Sequence, residues 1–174
     1  MKKIFLITVL VFSLAFSGCE KDDICDENTS TTPRLIISFY DFNDPSTLKS
    51  VTDLKIIAEG MEEGITYSGS TLINGSTVAI PLKIDADVVK FKFILNYDNA
   101  TTALINEDEI QFDYSRSTIF VSRACGFKTN YELNQANPFT HTDATVADGK
   151  WIESISVKNR TITNENETHL EIYF

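Results

Sequence analysis

The 174-residue sequence predicts an all-β protein, an immunoglobulin-like or transthyretin-like two-sheet β-sandwich. Three observations carry that expectation. Short stretches alternate apolar and polar residues with a period of two, the spacing of a strand with one buried face. Gly, Pro, Asn and Asp punctuate those stretches at short intervals. Beyond the first eighteen residues, no run of ten or more carries a helical stripe. About eight to ten short strands with regular turns suit a sandwich first and a barrel second.

In chain order, residues 34–40 are β-branched and aromatic, and Asp41-Phe42-Asn43-Asp44-Pro45 stops them with turn chemistry. Residues 51–58 form the second candidate strand. Short strands are expected at 65–67 and 71–73, followed by a turn at Asn74-Gly75. Val78, Ile80, Leu82 and Ile84 then share one face, with Pro81 marking an edge or a bulge. Val89, Phe91, Phe93 and Leu95 face away from Lys90, Lys92 and Asn96. Ile110, Phe112 and Tyr114 alternate with Gln111, Asp113 and Ser115. Residues 119–125 read as buried on both sides, and Gly126 breaks them. Phe127, Tyr131 and Leu133 alternate with Lys128, Asn130 and Glu132. Residues 134–150 read as a polar loop; Trp151, Ile155 and Val157 share a face of the next strand. A polar hairpin loop at 163–167 leads to a last strand with Leu170, Ile172 and Phe174 on one side.

The front of the chain predicts where the protein goes. Lys2 and Lys3 precede an apolar run from residue 4 to 16, which closes on Ser17-Gly18-Cys19. Charge, apolar run and small residues in that order make a secretory signal peptide, and the run is too short to span a bilayer comfortably. Phe16-Ser17-Gly18-Cys19 resembles the bacterial lipobox, with Phe16 where Leu is commoner. That resemblance implies cleavage after Gly18 and lipidation of Cys19 with three acyl chains, a firm membrane anchor. A plain signal peptide cut near Gly18 is the alternative. Lys21-Asp22-Asp23 resembles the export signal of surface-displayed Bacteroidota lipoproteins; a periplasm-facing domain is the other placing. The expected organisation is a lipoprotein signal peptide at 1–18, a lipidated acidic tether at 19–33 and one β-sandwich domain at 34–174.

Loss of residues 1–18 removes Lys2 and Lys3 and no acid, so the net charge falls from −10 to −12. Such acidity argues against nucleic acid, whose phosphates need Lys and Arg. With Cys19 lipidated, Cys25 and Cys125 remain, and an even pair in an exported protein reads as one disulfide.

Three stretches carry a family likeness. They are Asp22-Asp23-Ile24-Cys25 with Thr32-Pro33-Arg34-Leu35 and Phe39-Tyr40-Asp41, Ser122-Arg123-Ala124-Cys125-Gly126-Phe127-Lys128-Thr129, and Glu167-Thr168-His169-Leu170-Glu171-Ile172-Tyr173-Phe174. Together they resemble an uncharacterised lipoprotein family of Flavobacteria and relatives, the domain of unknown function 6452. The resemblance implies one domain and a lipid anchor, and it brings no activity. Within it, Arg123-Ala124-Cys125-Gly126 reads first as a corner pinned by the disulfide, and second as a recognition patch of Arg123 and Lys128.

Catalytic signatures are sparse. Asn106-Glu107-Asp108-Glu109 and the tether acids Asp22, Asp23, Asp26 and Glu27 lack calcium-loop spacing and read as solvated loop acids. His141 and His169 have no third ligand at zinc spacing. No nucleophile elbow, metalloprotease motif or phosphate-binding glycine loop is present. No catalytic residue, metal or cofactor is therefore expected. The expected function is a non-enzymatic binding or interaction module, lipid-anchored at the outer membrane, whose partner is an envelope protein or an extracellular ligand. A structural accessory subunit of an envelope complex is the first alternative. An enzyme with an acid-based site at His141, Asp143 and Asp148 is the second.

Overall fold

A computed structural model describes residues 24–27, 29 and 31–174 of the chain. The signal segment and Cys19 lie outside the described residues. The chain divides into two compact units. The larger comprises Ser30–Ile119 and Lys128–Phe174; the described part of the smaller is residues 24–27, 29 and 120–127.

The strands are β1 (Leu35–Tyr40), β2 (Val51–Ala58), β3 (Ile73–Gly75), β4 (Thr77–Ile80), β5 (Val88–Leu95), β6 (Asn106–Ser122), β7 (Gly126–Leu133), β8 (Phe139–Asp143), β9 (Ser154–Val157), β10 (Thr161–Ile162) and β11 (Leu170–Tyr173), and the larger unit, a two-sheet β-sandwich, holds all of them except residues 120–122 of β6 and 126–127 of β7. One sheet runs β4-β1-β11-β9 and the other β10-β7-β6-β5-β2-β3, with β8 added alongside β6. Alternation explains the core. Leu54 and Ile56 of β2, Phe91 and Phe93 of β5, and Ile110 and Phe112 of β6 face Leu35, Ile37 and Phe39 of β1 and Leu170 and Ile172 of β11. On the outer side of the larger sheet, Lys92 pairs with Glu107 at 2.9 Å and Lys90 with Glu109.

β1 and β11 pair in parallel at the centre of the smaller sheet, Ile37 opposite Leu170 and Phe39 opposite Ile172. No local turn sets this register. His169 does so instead. Its N–H donates to the Ile36 carbonyl (2.9 Å), and its Nδ1 accepts from the Ile36 N–H (2.9 Å). An accepting Nδ1 is unprotonated, and burial holds the imidazole below its ordinary value of 6.5. The sign follows: below about pH 6.5 the unfolded chain takes up a proton that the folded chain refuses. His169 therefore supports the fold fully above that pH, and its support is lost as pH falls. In His169→Asn, the amide oxygen keeps an acceptor for Ile36 without titrating. Urea melts from pH 7.5 to 5 are expected to show the parent losing more stability than this variant. Parallel slopes would contradict the assignment.

Several expectations fail for identifiable reasons. β4 stops at Ile80 because Pro81 has no N–H to donate, and Ile84, expected on the buried face, is 64 % exposed. Asn74-Gly75 lies within β3, and the chain passes from there to β4 in the other sheet instead of making a hairpin. The Asn74 side chain accepts from the Asp53 N–H and donates to Asp53 Oδ1, both at 3.0 Å, holding Asp53 at φ 43° in the bulge of β2. In place of the short strand at 65–67 there is one isolated bridge, Tyr67 to Ser70, and the strand expected at 71–73 is displaced to β3, which begins at Ile73. Residues 134–150 are not all loop, since β8 pairs antiparallel with β6. Residues 163–167 do not close a hairpin: β10 pairs with β7, whereas β9 pairs with β11. Ile119 and Phe120, expected to be buried, are exposed.

Candidate functional site

A groove of about 470 Å³ opens on the sandwich unit. Its floor is Val89 and Phe91 of β5, its walls are Leu82 beyond β4 and Ile65 of the β2–β3 connection, and Met61 stands at its rim. Sequence explains each wall. Pro81 ends β4, and the freed segment is held by two tyrosines: Tyr131 donates to the Leu82 carbonyl (3.3 Å), and Tyr114 accepts from the Lys83 N–H (2.9 Å). The Tyr114 and Tyr131 rings meet edge to face at 5.4 Å. Burial pushes the Tyr114 hydroxyl up to about 12, against the Lys83 contact that lowers it. The opposite wall folds back on β2 through the Ile65 N–H, which donates to the Ile56 carbonyl (2.8 Å). Gly64 permits that approach, because a Cβ there would meet Lys55 Cγ at 3.0 Å.

Arg34, Glu59 and Lys83 supply the polar rim. Arg34 is fixed by a two-pronged pair with Glu165, Nε to Oε1 at 2.9 Å and a terminal nitrogen to Oε2 at 2.6 Å. That contact holds the Glu165 carboxyl below its usual range and raises Arg34. The groove thus combines an apolar floor with a charged margin, the usual make-up of a small-molecule site.

A second feature is one for which the sequence predicts solvated loop acids. Asn106-Glu107-Asp108-Glu109 instead opens β6, and Asp108 is fully buried. Asp108 Oδ2 accepts from the Ile152 N–H (2.8 Å) and hydrogen-bonds His141 Nε2 of β8 (3.0 Å). Period two carried the signal, because Asp108 has the parity of Ile110, Phe112 and Tyr114 and so falls on the core face. A carboxylate–imidazole pair is half of a nucleophile-activating relay. Here it organises backbone: no hydroxyl or thiol among the described residues hydrogen-bonds His141, and Lys150 Nζ donates to the His141 carbonyl (3.2 Å).

The other residues of the expected acid site do turn chemistry. Asp143 accepts from the N–H groups of Ala144 (2.8 Å) and Gly149 (3.2 Å), and Asp148 accepts from that of Glu107 (3.2 Å). Burial pulls the Asp143 carboxyl up, and the N–H groups around it outweigh that and hold it below the usual range. No three His, Cys, Asp or Glu side chains among the described residues could hold a metal ion. No helix among the described residues is long and apolar enough to cross a membrane.

In the smaller unit, Cys25 and Cys125 form the disulfide, with an S–S distance of 1.99 Å and Cα atoms 4.9 Å apart. Gly126 at φ 70° makes the turn that follows, and the Cys125 N–H donates to Ser122 Oγ (3.0 Å). Arg123 is exposed at that turn, and Lys128 is half-buried on β7.

A family model described as "Family of unknown function (DUF6452)" matches residues 53–174, which run from inside β2 to the last residue of the chain. No curated protein and no solved structure matches the chain. β1 precedes the matched segment yet occupies the centre of the smaller sheet, so the folded unit is larger than the family match. With well over half its length matched, the chain belongs to DUF6452, a family of unknown function.

Proposed function

We propose that the protein is a lipid-anchored outer-membrane lipoprotein of a Bacteroidota bacterium, displayed at the cell surface, whose sandwich is a non-enzymatic binding module. The observation that carries the binding role is the 470 Å³ groove over Val89 and Phe91, within the size range of small-molecule sites. The signal run, Cys19 after Ser17-Gly18 and the Lys21-Asp22-Asp23 that follows support the anchor and its placing. The Asp108–His141 pair favours binding over catalysis, because it hydrogen-bonds the Ile152 backbone in place of a nucleophile. The ligand is an apolar or amphipathic small molecule that buries its apolar part against Met61, Pro81 and Ala58, the accessible apolar lining, and leaves its polar part at Lys83 and Glu59.

Native mass spectrometry of the protein extracted from its own membranes tests the binding role. The parent is expected to retain a non-covalent small molecule. Met61→Arg is expected to lose it, because Met61 is exposed at the rim and a guanidinium there cannot enter an apolar groove without desolvation. Equal retention by both proteins, or none by the parent, would overturn the groove as the binding site.

A further inference from the structure

We propose that the tip of the β6–β7 hairpin is a membrane-contacting surface, with Phe120 and Phe127 seated in the interfacial layer of the same bilayer that holds the acylated Cys19. The inference rests on the lipid anchor proposed above.

Chain length carries the first part of the argument. Cys19 and Cys25 are six residues apart, and a fully extended chain advances about 3.3–3.6 Å per residue, so their Cα atoms are never more than about 22 Å apart. The disulfide adds only 4.9 Å between Cα atoms. Whatever course the chain between them takes, Cys125 lies within about 27 Å of the anchored cysteine, closer than the thickness of a hydrocarbon core. A domain on a free tether would have no such limit.

The second part is what the tip exposes. Phe127 is 68 % exposed and Phe120 57 %, with their rings in edge-to-face contact at 5.3 Å. Ile24, next to Cys25, is 85 % exposed. Single exposed apolar side chains are ordinary on protein surfaces. Two aromatic rings in edge-to-face contact and still open to water, in a small unit with a third apolar side chain, form a patch that suits an apolar occupant. An aromatic pair beside a lipidated residue has an obvious one, since amphipathic anchors bury such rings at the headgroup–acyl boundary.

Charge agrees with this placing without driving it. From residue 114 to 131 the sequence has Arg116, Arg123 and Lys128 and no acid, in a chain of net charge −10. Asp26 and Glu27 lie in the same small unit as Arg123 and offset it. Ring burial, not attraction to anionic headgroups, therefore carries the contact, which should change little with salt.

The test uses the full acylated protein in vesicles of phosphatidylethanolamine and phosphatidylglycerol, with or without brominated acyl chains. Phe127→Trp is a mild change at an exposed position. The parent provides the reference, because its sole tryptophan, Trp151, is buried in the sandwich core. The expected result is that Phe127→Trp adds a blue-shifted emission that brominated lipid quenches severalfold more strongly than it quenches Trp151, equally at low and high salt. An added emission that is red-shifted and unquenched, in protein that floats with the vesicles, would overturn the membrane contact and leave the anchor standing. Protein that does not float with the vesicles would overturn the anchor and this proposal together. Emission that is blue-shifted but unquenched by brominated lipid would place the rings against protein and equally overturn the proposal.

Discussion

Replacing both Cys25 and Cys125 with serine is expected to lower stability by up to about 4–5 kcal/mol, the chain-entropy value for a loop of this length. The bridge joins residues 100 apart in sequence, so its loss frees most of the unfolded chain to explore separations that the disulfide forbids. For a chain of this size about 1 kcal/mol corresponds to 2–4 °C, which puts the expected fall in melting temperature near 10–15 °C. Reducing the parent protein should reproduce the fall, and the double variant should not respond to reductant. A melting temperature unmoved by either treatment would mean that the bridge orders only its own surroundings and contributes nothing to the sandwich.

The second large effect is expected at Asp108. In Asp108→Ala, the Ile152 N–H and His141 Nε2 both lose their buried partner. Breaking a buried pair by deleting one member costs about 3–5 kcal/mol, because the other group stays buried and unpaired. Asp108→Asn keeps an oxygen in the place of Oδ2 for both the Ile152 N–H and His141 Nε2, and its amide nitrogen takes the place of Oδ1, which has no hydrogen-bond partner among the described residues. Its expected cost is therefore only about 1–2 kcal/mol, the range of a weakened neutral hydrogen bond. Denaturant melts of both variants check the ranking. Equal losses would show that shape at this position matters more than its hydrogen bonds. Because the Trp151 indole N–H donates to the Phe93 carbonyl (3.0 Å) beside this site, tryptophan emission reports the same disturbance.

Much of the fold was legible because period-two patterning is a direct image of a half-buried strand. β2 occupies the residues expected of it, and the inward residues of β5, β6 and β11 are those that the alternation picked out. The disulfide followed from cysteine parity in a chain read as exported. Other features had no local signal to read. Phe139–Asp143 has one large apolar residue among polar ones, which suits an added edge strand and also suits a loop. The apolar run at 119–121 looked like core because hydrophobicity records what a residue prefers and not whether anything covers it. The choice of sheet for each strand depends on long-range partners, most plainly for β1 and β11, whose parallel pairing joins the two ends of the domain. The groove was invisible for the same reason. It needs Pro81 to stop a strand, Gly64 to let a connection close in, and two tyrosines from distant strands to hold Leu82 and Lys83 in place.

The proposed function requires a covalent path from the bilayer through an acylated Cys19 and the Cys25–Cys125 bridge to the hairpin of a surface-displayed sandwich. The mass of the fragment left in the membrane after protease treatment of intact cells tests it most directly. The expected fragment begins at Cys19, carries three acyl chains and is joined through Cys25 to the peptide containing Cys125, with reductant releasing that peptide. A fragment without acyl groups, or a protein left whole until the cells are lysed, would contradict it.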